Sequence, residues 1–267
     1  MGTYSSEAYR SFKTFIGELT AVAAGVYVGI QEVVPLVEKV EGADPWKAVA
    51  EKHGVIVDAL KSDQVVLSSV RLNLVSLYSG FDLFIADVRS EFNHLQGRVW
   101  NQLDGDGPFE ALARNTPSTP GAHVRRLGAH RIAAMNHYRL VRNAIAHPRP
   151  SALAASEKFF MSNSELLGQV RSEYGMQSAP NKLDGVTYHD IKLLARIALD
   201  LTKAIDADLD PGDDRFRELL KARPVDKTKS SERNHHALMG WLRTAHGLSA
   251  ERADRILKAH MTHQLDG

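Results

Sequence analysis

Residues 64–95 read QVVLSSVRLNLVSLYSGFDLFIADVRSEFNHL. Val66, Val70, Leu74, Leu77, Phe81, Phe84, Val88 and Phe92 recur at intervals of three and four, the repeat of one face of an α-helix. One helix over this span would be about 48 Å long. A stripe of this length reads as the core side of a helical bundle rather than as a cofactor box. The same period extends in both directions. Residues 6–34 carry Phe12, Phe15, Ile16, Leu19, Val22, Ala23 and Val26 behind a cap at Ser5 or Ser6, and Pro35 is expected to interrupt them. Asp44-Pro45 opens a further helix, expected to run through Leu60. Helices are expected over 124–146, ended by Pro148, and over 151–174. A last strong one spans 187–208, with Ile191, Leu194, Ala195, Ala198, Leu201 and Ile205 on one face and Asp210-Pro211-Gly212 as its stop. Residues 96–122 are rich in glycine and proline and read as a long loop with one short helix near 108–114. Asp184-Gly185 marks a turn, with short extended pieces around Leu183 and Val186-Thr187. There is no internal repeat and no βαβ alternation, so the expectation is an all-α bundle.

The chain has 267 residues, 43% of them hydrophobic and 24% charged, and no cysteine. That balance fits an ordinary soluble domain. The missing cysteines exclude disulfides, zinc–thiolate sites, iron–sulfur ligation and a cysteine nucleophile. No Gly-Lys-Ser/Thr loop supports ATP hydrolysis. The first residues lack a signal-peptide pattern, and Gly2 with Ser6 fits a myristoylation pattern too short to carry weight. The most apolar run, Ala21 to Ile30, makes about 15 Å of helix, half a bilayer core. It reads as a buried helix segment of a cytoplasmic protein with no membrane contact. Residues 1–212 form the expected main domain. Residues 213–267 form a small basic appendage with 11 Lys+Arg against 8 Asp+Glu. Within it, 221–234 is linker-like, and two short helices, 235–246 and 249–262, meet at Gly247.

Charge is distributed unevenly. Between Ala111 and Ser156 there is no acidic residue, but there are seven arginines: Arg114, Arg125, Arg126, Arg131, Arg139, Arg142 and Arg149. Arginine without acidic neighbours reads as a surface for polyanions, because the planar guanidinium fits phosphate oxygens bidentately. The other reading is a basic face that pairs with acids elsewhere, such as Asp82, Asp87 and Glu91. Within this window lies Tyr138-Arg139-Leu140-Val141-Arg142-Asn143-Ala144-Ile145-Ala146-His147-Pro148. On a continuing helix Arg142 and His147 would diverge by about 140°. Pro148 instead pushes His147 into extended geometry at the helix C-terminus, where the dipole favours imidazolium.

Arg142, Asn143 and His147, followed by Pro148, resemble the Arg-x4-His signature of the HEPN superfamily, all-helical proteins with many RNA-cleaving members. The resemblance covers roughly residues 5–210. It implies a HEPN-like bundle and a metal-independent endoribonuclease without a cofactor. In such proteins two protomers pair, so a homodimer would bring two copies of Arg142 and His147 into one cleft. RNA supplies the 2′-hydroxyl nucleophile. His147 would act as base or acid, Arg142 would hold the phosphate and stabilise the phosphorane, and Asn143 would orient the pair or bind a phosphate oxygen. The resemblance further implies RNA, such as tRNA, as substrate. The biological setting would be a toxin or anti-phage effector with an antitoxin or activating partner protein. Two other functions fit the sequence: a non-catalytic HEPN-like module that binds nucleotide or protein, and a helical nucleic-acid-binding regulator that reads through its C-terminal helices.

Secondary candidates surround the motif. Tyr138 lies one turn before Arg142 and would either stack on a base or pack in the core. Arg131, Arg139 and Arg149 are candidates to steer the RNA backbone. His123, His130 and His137 recur every seven residues, about 10.5 Å apart on one helix. That is too far to share a metal, so they read as solvated. His235 and His236 point apart on a helix. The Asp104-Gly105-Asp106-Gly107 segment lacks the spacing of a calcium loop and reads as a turn. No residue set is put forward as a metal site.

Overall fold

The computed structural model describes residues 4–116, 120–223, 228 and 230–265. The protein is all-α: the described residues form twelve α-helices and no strand. They are α1 (Glu7–Val37), α2 (Pro45–Glu51), α3 (Ser62–Gln96), α4 (Pro108–Asn115), α5 (Pro120–Leu127), α6 (Ala129–Ala146), α7 (Pro150–Ser162), α8 (Ser164–Glu173), α9 (Tyr188–Asp208), α10 (Gly212–Ala222), α11 (Ser231–His246) and α12 (Ala250–Leu265).

Helix α3 is the element that the stripe demanded. Seven of its eight stripe residues, from Val70 to Phe92, are buried, and only Val66 at its start is partly exposed. Several boundaries differ from expectation for local reasons. Pro35 does not interrupt α1; it lies in the last turn, two residues before the end. Helix α2 is much shorter than 44–60. Gly54 takes a positive φ of 70° and Val55 N–H turns back to the Ala50 carbonyl, a reversal that glycine permits without Cβ strain. Asp44 caps α2 through Lys47 N–H at 3.1 Å and ties the returning chain through Ala59 N–H at 2.8 Å. The expected helix 124–146 is broken at Gly128, where φ is 85°. The 151–174 segment divides at Asn163. The extended pieces near Leu183 are a 3₁₀ turn, Leu183–Gly185. Helix α10 was not anticipated. Of the loop at 96–122, residues 117–119 lie outside the described residues, as do Gly2 and most of the linker-like 224–229 stretch.

The chain packs as two compact units, and α1, α3 and α9 each supply one segment to both. One unit comprises Met1–Lys13, Asp82–Leu127 and Asp200–Gly267; the other comprises Thr14–Phe81 and Gly128–Leu199. This division does not coincide with the expected boundary at 212/213. The helices after 212 have their own core of Phe216, Leu220, Leu242, Leu248, Ile256 and Leu257. They are also tied to the rest of their unit. Arg10 donates to the Thr244 and Ala245 carbonyls, and Arg252 pairs with Asp210.

One burial expectation is overturned. Of the apolar run Ala21–Ile30, only Ala23 is buried in this chain. Between Leu19 and Gln31 helix α1 carries no charged residue, yet only Ala23 of that stretch is buried. By length and composition it is long and apolar enough to cross a membrane.

Candidate functional site

Helix α6 buries Ala134, His137, Tyr138, Val141 and Ala144 at helical spacing. That stripe fixes which way the rest of the helix points. Arg142 and Asn143 flank it and are partly exposed. Arg142 Nη1 donates to Asn143 Oδ1 at 2.9 Å, and its guanidinium carbon lies 5.9 Å from the centre of the Tyr78 ring. His147 is the C-cap, with φ −136° and ψ 77°: it has left the α region, as a residue before proline must, but its ψ stops short of the extended geometry expected. Its side chain is exposed, and its N–H still closes the last turn onto the Asn143 carbonyl at 2.8 Å. Arg149 N–H donates back to the His147 carbonyl at 2.6 Å. Pro148 is thus held in a tight turn, and Arg149 becomes the N-cap of α7. Arg142, Asn143 and His147 therefore occupy the last turn of α6, within about 7.5 Å of helix rise.

The secondary candidates fare differently. Tyr138 is buried at 1% exposure, and its hydroxyl donates to Asp190 Oδ1 at 2.9 Å. It packs, and the base-stacking role is corrected: no face of its ring is open to a ligand. Burial and then the Asp190 carboxylate hold its hydroxyl well above the usual phenol range. Arg131 is also corrected, because it forms an ion pair with Glu173, which His130 shares at 2.5 Å. Arg139 contacts Asn136 at 3.4 Å, and Arg149 is exposed.

The acid-free window is acid-free in sequence only. Arg114 pairs with Asp106 at 2.9 Å, Arg126 with Asp208 and Arg131 with Glu173. These three partners lie outside the window in sequence, and Glu91, one of the acids considered above, accepts Ala8 N–H. His123 and His137 are fully buried, against the solvated reading. His137 Nε2 lies 2.9 Å from the Asn181 carbonyl, and its ring packs on Tyr138 and Phe160. Burial pushes both imidazoles below the usual histidine range, with Arg126 adding to the effect at His123. Among the described residues, no cluster of three or more His, Asp or Glu side chains is placed to hold a metal ion.

Asp190 is the residue that sequence reading missed. Its Oδ1 accepts Tyr138 O–H and Asn181 N–H, and its Oδ2 accepts Asn181 Nδ2–H and Thr187 N–H. It locks α6 against the start of α9 one turn before Arg142. The signal was present in Thr187-Tyr188-His189-Asp190. This is a capping box, in which the third helical residue reaches back to the N-cap amide.

In the C-terminal helices, α11 and α12 meet at Gly247, whose φ is 58°. Arg252 binds Asp210 at 2.5 Å and Asp213 at 2.7 Å, and Arg255 binds Asp213 at 2.9 Å. Both arginines of α12 are thus engaged within the unit.

Compared with protein family models, with curated proteins and with solved structures, the chain matches none.

Proposed function

We propose that the chain is a HEPN-like, metal-independent endoribonuclease whose active groups are Arg142, Asn143 and His147. The observation that carries this reading is the last turn of α6. It presents an exposed histidine released from helical geometry, five residues after a partly exposed arginine whose guanidinium is braced by Asn143. His147 removes the proton from the RNA 2′-hydroxyl, and the oxygen attacks the adjacent phosphorus. Arg142 stabilises the charge that builds on the phosphorane oxygens. The 5′-oxygen leaves as it gains a proton from a second imidazole, that of a partner copy in a homodimer. The product is a 2′,3′-cyclic phosphate or its hydrolysis product. The setting is cytoplasmic, as a toxin or anti-phage effector governed by an antitoxin or activating protein.

The test is incubation of the purified chain with total RNA and a tRNA pool in EDTA, beside His147→Ala. Cleavage by the wild type that the variant lacks sustains the reading. No cleavage by a folded dimer shifts it to a nucleotide- or protein-binding module.

A further inference from the structure

Helix α1 holds an apolar surface that the proposed site does not use. Between Leu19 and Gln31 it has no charged residue. Its most apolar 18-residue window has a mean hydropathy of 1.5, and 11% of that window is buried. Ile16, Ala23 and Val37 face inward. On the opposite side Val22, at 62%, and Leu36, at 63%, stand exposed, together with Val28. A helix apolar all round is ordinarily covered all round, and an apolar surface of this extent marks an interaction site.

Three features of this face specify what covers it. First, Gly17, Ala21, Gly25 and Gly29 recur every four residues along it. A Cβ at any of the three glycines would meet nothing within 4 Å. Small residues at this spacing leave a lane in which another helix backbone approaches closely. Second, Glu18 and Glu32 lie near the two ends of the lane, with Ala21, Gly25 and Gly29 between them. They are 14 residues apart, about 21 Å of rise and within about 40° of one another around the axis. Both are exposed, and neither forms an ion pair among the described residues. Third, the two acids disfavour the other occupants. Two copies of α1 crossing antiparallel at Gly25 would set Glu18 against Glu32, and a parallel pair would set each acid against itself. Like charges facing each other in an apolar seam are unfavourable. For a bilayer, an apolar span such as Leu19–Leu36 would carry the Glu32 carboxylate into lipid, which is unfavourable.

We propose that the outward face of α1, from Gly17 to Leu36, docks an apolar helix of a partner protein that carries Lys or Arg at both ends of its contact face, about 14 residues apart. This surface is independent of the ribonuclease reading.

The test uses the purified full chain and two labelled helical peptides of about 22 residues. Both carry an Ala/Val/Leu face. One has lysines about 14 residues apart, and the other has glutamates at those positions. Fluorescence anisotropy is expected to show saturable binding of the lysine peptide and at least about tenfold weaker binding of the glutamate peptide. The exposed double reversal Glu18→Lys/Glu32→Lys is expected to exchange these preferences. Gly25→Phe is expected to lose both peptides while its thermal melt stays unchanged. Absence of saturable lysine-peptide binding, or equal affinity for the two peptides, overturns the proposal. Sedimentation and flotation address the other occupants. A dimer that dissociates on Val22→Asp gives the face to a second copy, and flotation with phosphatidylcholine vesicles gives it to lipid. Either result overturns the proposal. A dimer that survives Val22→Asp keeps α1 outside the self-interface, as expected.

Discussion

The arginines of α12 and those at the end of α6 look alike in sequence and differ in space. Arg252 is 5% exposed and held by two carboxylates, and Arg255 shares one of them. At the end of α6, Arg142 is braced by an amide oxygen and an aromatic ring, and Arg149 is open to solvent. An arginine saturated by carboxylates has its fork occupied and its charge neutralised, so it has little to offer a phosphate. Basic composition is thus a poor guide to polyanion binding. In the basic tail both arginines of α12 are paired with acids, whereas the motif depends on the end of a single helix.

The sharpest way to break this comparison is on activity. His147→Ala and Arg142→Ala should each lower the RNA cleavage rate by about 10²–10⁴-fold with unfolding midpoints unchanged. Arg252→Ala should leave the rate per folded molecule unaltered. If Arg252→Ala abolishes cleavage while His147→Ala does not, the functional assignment of the two regions is reversed. The next effect is on stability. Arg252→Ala leaves Asp210 and Asp213 without their common cation and should destabilise by about 3 kcal/mol, read by urea unfolding.

Tyr138→Phe sharpens the comparison from the other side. It removes the hydroxyl that Asp190 accepts and should cost about 1.5–3 kcal/mol. A loosened α6 end should also lower the cleavage rate less than His147→Ala does.

Two buried groups should respond oppositely to acid. His137 is held below its ordinary value by burial. Its unfolded form takes up a proton first, so the stability it gives is present above about pH 6.5 and is lost as pH falls below that. Asp206 is pushed up to about 6 by burial. It therefore gives stability below its unfolded value of 3.8 that is lost as pH rises through about 6. Asp206→Asn keeps an acceptor for Ser6 N–H, which now bonds Oδ1 at 3.0 Å. It should stabilise the protein by about 1–2 kcal/mol at pH 8, the gain vanishing near pH 4. An Asp206→Asn gain that persists unchanged at pH 4 would contradict the assignment.

Much of the architecture was legible in the chain. The three- and four-residue spacing from Val66 to Phe92 is a local property, set by 3.6 residues per turn, and it specifies a helix whatever it packs against. Pro148 likewise takes His147 out of the helix by sterics between adjacent residues, and that helix end was readable before any tertiary contact. Thr187 and Asp190 spelled a capping box in the same local way. Tertiary structure alone decided which carboxylates meet which arginines, because Asp208 meets Arg126 and Glu173 meets Arg131 only after the chain has returned over 82 and 42 residues. It also decided that Tyr138 is interior, since burial depends on the neighbour that α9 provides at Asp190. Which side of α1 stays open was beyond the sequence for a related reason. Between Leu19 and Gln31 no charged residue marks a solvent side, so within that stretch packing chose.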